Sequence, residues 1–158
     1  MWDWDLATGD MIWAGTTEPY FDLSPERMAS LQLSQHRLWS ERVHPDDLAT
    51  TEAAAQAAIG SGAESWQHEY RFRRADGSYA DIVERACIAR DAGGTAVRAI
   101  GAMEDITSRK AAERAATRLE AIVASSRDAI VAKTLEGVVS SWNAAAERTF
   151  GYSEQERV

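Results

Sequence analysis

The chain has 158 residues, a net charge of −8, 45% apolar residues and 27% charged ones, the make-up of a globular protein with room for one ordinary domain and a remainder. So acidic a balance argues against nucleic acid or anionic lipid as partner, since both present negative phosphates. The one cysteine, Cys87, cannot build an intramolecular disulfide framework and has no zinc-ligand spacing around it.

No apolar run approaches the roughly 20 residues that cross a bilayer. The acidic start Met1-Trp2-Asp3-Trp4-Asp5 lacks a signal-peptide pattern. The expected location is the cytoplasm, without membrane contact by this segment, and a membrane anchor elsewhere in a longer parent is left open.

Trp2, Trp4 and Leu6 alternate with Asp3 and Asp5, the period of a half-buried strand. Thr8-Gly9-Asp10 supplies a turn and Met11-Ile12-Trp13 a returning strand. Glu18 to Arg42 reads as short helices and loops, with Pro19 and Pro25 in first turns and Ser24 as an N-cap. Pro45 opens a longer helix. Asp46 and Asp47 suit its positive end, and Gly60-Ser61-Gly62 stops it.

Three strands follow. Trp66, His68, Tyr70 and Phe72 fall on one face of the first, and Gln67, Glu69, Arg71 and Arg73 on the other. Asp76-Gly77 is a strong hairpin signal. Tyr79 to Arg90 alternates less cleanly, so a bulge is expected. After the turn at Asp91-Ala92-Gly93-Gly94, Thr95 to Ile106 places Val97, Ala99, Gly101 and Met103 on one face. Two early and three late strands imply an α+β domain, one antiparallel sheet with helices over one face.

At Thr107 the period changes. Ala112, Ala115, Leu119, Ile122 and Ser126 step by three and four, a narrow stripe compatible with a short parallel coiled coil and hence a homodimer. The alternative is a helix packed on its own sheet. Beyond Ser126 the opening pattern restarts. Phe21-Asp22-Leu23-Ser24 matches Phe150-Gly151-Tyr152-Ser153 at an offset of 129, and Thr8-Gly9 matches Glu136-Gly137 at 128. Repetition at domain length implies tandem domains. The expected division is 1–110, a helical linker over 111–127, and a truncated second copy over 128–158. Two strands and a helix cannot bury a sheet face, so 129–158 is expected to fray or to borrow a partner by strand exchange.

Three segments in order, Arg42-Val43-His44-Pro45-Asp46-Asp47-Leu48, His68-Glu69-Tyr70-Arg71-Phe72-Arg73-Arg74-Ala75-Asp76-Gly77-Ser78-Tyr79 and Ile100-Gly101-Ala102-Met103-Glu104-Asp105-Ile106-Thr107, resemble a PAS domain with its PAC half. The stretch Leu119 to Ser153 resembles the start of a second. The resemblance implies a five-stranded antiparallel sheet with short helices on one face, a ligand cleft between them, and output through the helix after Asp105-Ile106-Thr107. It also implies a place ahead of a histidine kinase in a bacterial two-component phosphorelay, or ahead of a diguanylate cyclase or phosphodiesterase. Asp81 departs from the pattern, which usually has an aromatic after Tyr79-Ala80.

The candidates for lining a small-molecule cleft are Trp39, His68, Tyr70, Phe72 and Met103, for which plain core packing is the competing reading. Asp105, Ile106 and Thr107 are the signal-transmission candidates. Thr107 is expected to cap the linker helix, and Asp105 to accept hydrogen bonds there or pair with Arg109 or Lys110. His44, alone in a loop, is weak support for a haem ligand. Cys87 lies outside any flavin-cysteine motif and is expected to be a buried, inert thiol. No nucleophile elbow, phosphate-cradling loop or metal spacing points to catalysis. The resident cofactor, if any, is unassigned.

Overall fold

The computed structural model describes residues 1–15 and 35–151. The expected helix starts at Pro19 and Pro25, the Ser24 cap, the Phe21–Ser24 repeat segment and its counterpart at Tyr152-Ser153 therefore lie outside the described residues. The chain divides into two compact units, Met1–Ser108 and Arg109–Val158.

In the first unit, strands β1 (Trp2–Asp5) and β2 (Met11–Trp13) form the opening hairpin. Helices α1 (Gln35–Ser40) and α2 (Pro45–Gly60) follow, then strands β3 (Ser65–Arg73), β4 (Tyr79–Arg90) and β5 (Ala96–Asp105). They make one sheet in the order β2-β1-β5-β4-β3, antiparallel at every pairing. The opening hairpin turns at Gly9, whose φ of 82° favours a residue without Cβ, while Asp5 Oδ1 accepts the Ala7 and Thr8 N–H groups. The bulge expected in β4 appears only at its end, where the register shifts between Ala89 and Arg90.

Both ends of α2 are fastened to the sheet. At the start, His44 Nδ1 accepts the Asp46 N–H at 3.2 Å, satisfying an amide with no helical partner. Asp47 accepts Arg71 N, Nε and Nη2 at 2.7–2.9 Å. At the far end, Arg90 Nη2 donates to the Ala58, Ile59 and Ala63 carbonyls, where cationic donors complement the helix terminus.

Cross-strand pairing sets the inner face. Trp13, Trp2, Gly101, Ala86 and Trp66 form one row across all five strands. In the next row Met103, Glu84 and His68 are neighbours. Gly101 is sterically required. A Cβ there would lie 2.4 Å from Trp2 Cζ2 and 2.8 Å from the Arg85 carbonyl oxygen, closer than packed atoms approach.

The second unit holds most of α3 (Thr107–Ser125), then β6 (Val131–Lys133), β7 (Val139–Trp142) and α4 (Ala144–Phe150). β6 and β7 pair antiparallel. Asn143, 5% exposed, ties the unit together. Its Oδ1 accepts the Ile130 and Ala146 N–H groups and its Nδ2 donates to the Val123 and Asp128 carbonyls. One side chain thus caps α4 and holds the segment between α3 and β6. No residue of α3 is buried, so Leu119 and Ile122 stand exposed. Among the described residues no helix is long and apolar enough to cross a membrane.

Candidate functional site

Between the inner face of the sheet and the helices lies a cavity of about 340 Å³, within the range of small-molecule sites. Five of the chain's six tryptophans line it, Trp2, Trp4, Trp13, Trp39 and Trp66. Met11, Ala55, Ile59, Ala86, Ile88 and Ala99 complete the apolar wall, and the polar lining residues described are His36, Glu52, Gln56 and Glu84. Their chain positions explain how they come together. β1 and β2 pair beside β5, so tryptophans from the first 13 residues meet Trp66 across the same face.

Glu84 is the unusual group. It is only 4% exposed, and burial pushes its carboxyl up to about 7 from 4.5, against the opposing hydrogen bond from Tyr70 and the nearby Trp2 indole and chain amine. Tyr70 Oη donates to Glu84 Oε2 at 2.7 Å, and Trp39 Nε1 donates to Tyr70 Oη at 3.0 Å. Trp2 Nε1 sits close enough to favour the carboxylate without completing a hydrogen bond of normal geometry. Trp66 Nε1 is likewise buried without a hydrogen-bond partner among the described residues. The Tyr70 phenol is itself pushed well up, by burial and then by the Glu84 charge.

Of the five cleft candidates, Trp39 alone lines this cavity. Tyr70 reaches it through its hydrogen bonds to Trp39 and Glu84. His68 stacks between Trp66 and Tyr70, with ring centroids 6.2 and 6.5 Å away. Phe72 is fully buried and bridges to Val43, where it serves as core. Met103 packs partly buried against the core. The alternation that put these residues on the inner face is real, but the cavity opens nearer the β1–β2 hairpin.

Sequence reasoning passed over Glu84, although a signal existed. Ala80, Ile82, Ala86 and Ile88 alternate along β4 and are buried, and Glu84 interrupts them in the same register. The same alternation corrects the reading of Cys87. It falls on the opposite face and is exposed, not buried.

A second cluster joins the end of β5 to the start of α3. Asp105 Oδ1 accepts the Thr107 N–H at 2.9 Å, and Asp105 Oδ2 accepts Arg74 Nη2 at 2.7 Å. Thr107 Oγ1 accepts Arg74 Nη2 at 3.1 Å and the Asp81 N–H at 2.9 Å. The Ile106 N–H donates to the Asp81 carbonyl at 2.9 Å, and Ile106 is 3% exposed. Burial pushes the Asp105 carboxyl up, but the bonds from Thr107 and Arg74 outweigh it and hold the group below its ordinary value.

The cluster gathers Asp105, Ile106 and Thr107 as one unit, with roles that differ from expectation. Asp105 rather than Thr107 supplies the oxygen for a first-turn amide. Its ion pair is with Arg74, not Arg109 or Lys110, because the β3–β4 turn carries Arg74 alongside the end of β5; Arg109 pairs instead with Glu113. Asp81, the departure from the family pattern, contributes through its backbone to both bonds. Among the described residues, no cluster of His, Cys, Asp and Glu could hold a metal ion.

Comparison with known proteins agrees with this architecture. Residues 10–103 match a PAS fold family model, and residues 117–158 match a second PAS fold model. The chain is 31% identical to the sensor protein FixL of Bradyrhizobium diazoefficiens over 99% of its own length, and spans 31% of that relative. It is similar to a sensory box histidine kinase/response regulator from Burkholderia thailandensis, 30% identical with a TM-score of 0.52, over 76% of this chain and 87% of that one. The N-terminal domain of a diguanylate cyclase with a PAS/PAC sensor from Marinobacter aquaeolei, 23% identical over 69% of this chain and 95% of that one, shares the fold with a TM-score of 0.51. With a five-stranded antiparallel sheet, helices over one face, and a family match across most of the first unit, this chain belongs to the PAS fold family.

Proposed function

We propose that the chain is a sensory input module of a bacterial signal-transduction protein. Residues 1–110 form the sensing domain, 111–127 a signalling linker and 128–158 the start of a second PAS unit. Occupancy of the tryptophan-lined cavity biases the Asp105-Ile106-Thr107 cluster, and through it the direction in which α3 leaves the sheet.

The observation that carries this reading is that a single strand serves both ends of the path. β4 presents Glu84 to the cavity and, three residues earlier, the Asp81 backbone to the cluster. A guest acts only by binding two states of the module unequally, and a capping cluster made in one state and broken in the other supplies such a pair. The module itself is non-catalytic and cytoplasmic in this reading. Likeness to FixL and to the Burkholderia histidine kinase/response regulator favours a two-component kinase as the output of the parent chain. A diguanylate cyclase or phosphodiesterase output is the alternative.

A second reading has its own support. The uncovered stripe of α3, with Leu119 62% and Ile122 55% exposed, suits a parallel homodimer in which the module relays between neighbours without a ligand.

Native mass spectrometry beside a denaturing run separates the two. A mass excess lost on denaturation, with changed hydrogen exchange in the first turn of α3, supports sensing. A clean dimer mass supports ligand-free relay.

A further inference from the structure

We infer that the cavity is built for an organic cation, an ammonium group bearing apolar substituents, held against the indole faces with its charge balanced by Glu84. This rests on the sensing reading of the cavity and names the class of molecule sensed.

Three observations converge. The first is composition. Five indoles surround one space, and the indole face is the best aromatic acceptor for a cation. The second is sign. Among the described lining residues there are two carboxyls, Glu84 and Glu52, and neither lysine nor arginine. An anionic guest would find no lysine or arginine to pair with among the described lining residues.

The third is the state of Glu84. It is buried and makes no ion pair among the described residues. Tyr70 engages Oε2 and the Trp2 indole lies beside the carboxylate, and neither side chain carries a positive charge. A buried carboxylate without a cationic partner is costly, and the protein holds this one as the acid up to about pH 7. A cationic guest supplies the missing partner and expels the proton. The charged and titratable groups around it are Tyr70 and His68 from β3, the Met1 amine, His36 from α1 and Glu52 from α2. His36 Nε2 lies 4.0 Å from Glu52 Oε1, and both side chains are about half exposed. The volume exceeds what a trimethylammonium head requires, so the guest carries a further apolar or hydroxylated portion.

The test uses the whole chain, with choline and benzyltrimethylammonium chloride as probes and 3,3-dimethyl-1-butanol as the neutral shape-mate of choline. Binding is read by calorimetry and tryptophan fluorescence against sodium chloride controls. Both cations are expected to saturate a single site, with the alcohol weaker by about tenfold or more. Binding should strengthen from about pH 6 to about pH 8, with close to one proton released per cation at the lower pH. Glu84→Gln should weaken the cations by about tenfold while leaving the alcohol unchanged, with near-ultraviolet circular dichroism confirming the fold.

Equal binding of choline and its neutral shape-mate overturns the inference without needing any variant to fold. So does an affinity independent of pH, or no binding of either cation. If the cations fail while native mass spectrometry finds a neutral or anionic guest, the cation class falls and the sensing reading stands. If the native mass is also clean, both fall.

Discussion

Replacing Glu84 by glutamine should reverse the order of stability between acidic and basic solution. The free carboxyl ionises near 4.5 and the folded one at about 7, driven by burial. Between those values the unfolded chain has lost the proton and the native state keeps it, so the unfolded state binds fewer protons and stability falls as pH rises. At about 1.4 kcal/mol per pH unit between the two values, wild type loses on the order of 3 kcal/mol by about pH 8 relative to about pH 4.5. Glutamine keeps the hydrogen bond with Tyr70 and has no proton to lose. Urea unfolding followed by tryptophan fluorescence, at steps between about pH 5 and pH 8, measures both proteins. Their difference cancels every other titrating group, including the three histidines. The variant should be no more stable than wild type at the acidic end and more stable by about 2–3 kcal/mol at the basic end. Parallel curves would show that Glu84 is solvated or paired in the native state, and the argument from burial would fail.

Gly101→Ala forces a methyl into the Trp2 ring and the Arg85 carbonyl. It should cost about 1–3 kcal/mol and perturb the near-ultraviolet tryptophan signal, and an unchanged melting temperature would refute the packing account. Asp105→Ala strips the acceptor from Thr107 N and one acceptor from Arg74. We expect a loss of about 1 kcal/mol, faster hydrogen exchange in the first turn of α3, and uncoupling of input from output in the parent chain with the domain still folded. A collapse of the far-ultraviolet circular dichroism would count against a transmission role. Arg71→Met removes the partner whose hydrogen bonds hold Asp47 down at about 2. That stability is present above the ordinary value of 3.8 and is lost as pH falls toward 2, so wild type and variant should converge in acid. Because the pair is partly solvent-exposed, the difference at neutral pH should be about 1 kcal/mol, and a constant difference down to about pH 2 would refute it.

Much of the architecture was legible locally. The Trp66–Phe72 alternation, the Asp76-Gly77 turn, the start of α2 at Pro45, and the helix after Asn143 all follow from windows of a few residues. Backbone periods of 2.0 and 3.6 and the special conformations of Gly and Pro act at that range. The change of period at Thr107 likewise marked where strand gives way to helix. The sequence by itself therefore determined which segments are strands and helices and which faces of β3 and β5 are apolar, while the poorer alternation of β4 hid that Cys87 faces outward. Tertiary structure decided what those faces meet. Only the pairing of β1 with β5 brings Trp2 opposite Gly101, nearly a hundred residues away, and turns scattered tryptophans into one shared wall. Only the helices lying over that wall make position 84 dry while Cys87, three residues on, stays wet. Only the β3–β4 turn places Arg74 where Asp105 finds it before any residue of its own helix. Burial and ion pairing depend on which surfaces exclude water together, and that is a property of contacts between distant segments rather than of any stretch of chain.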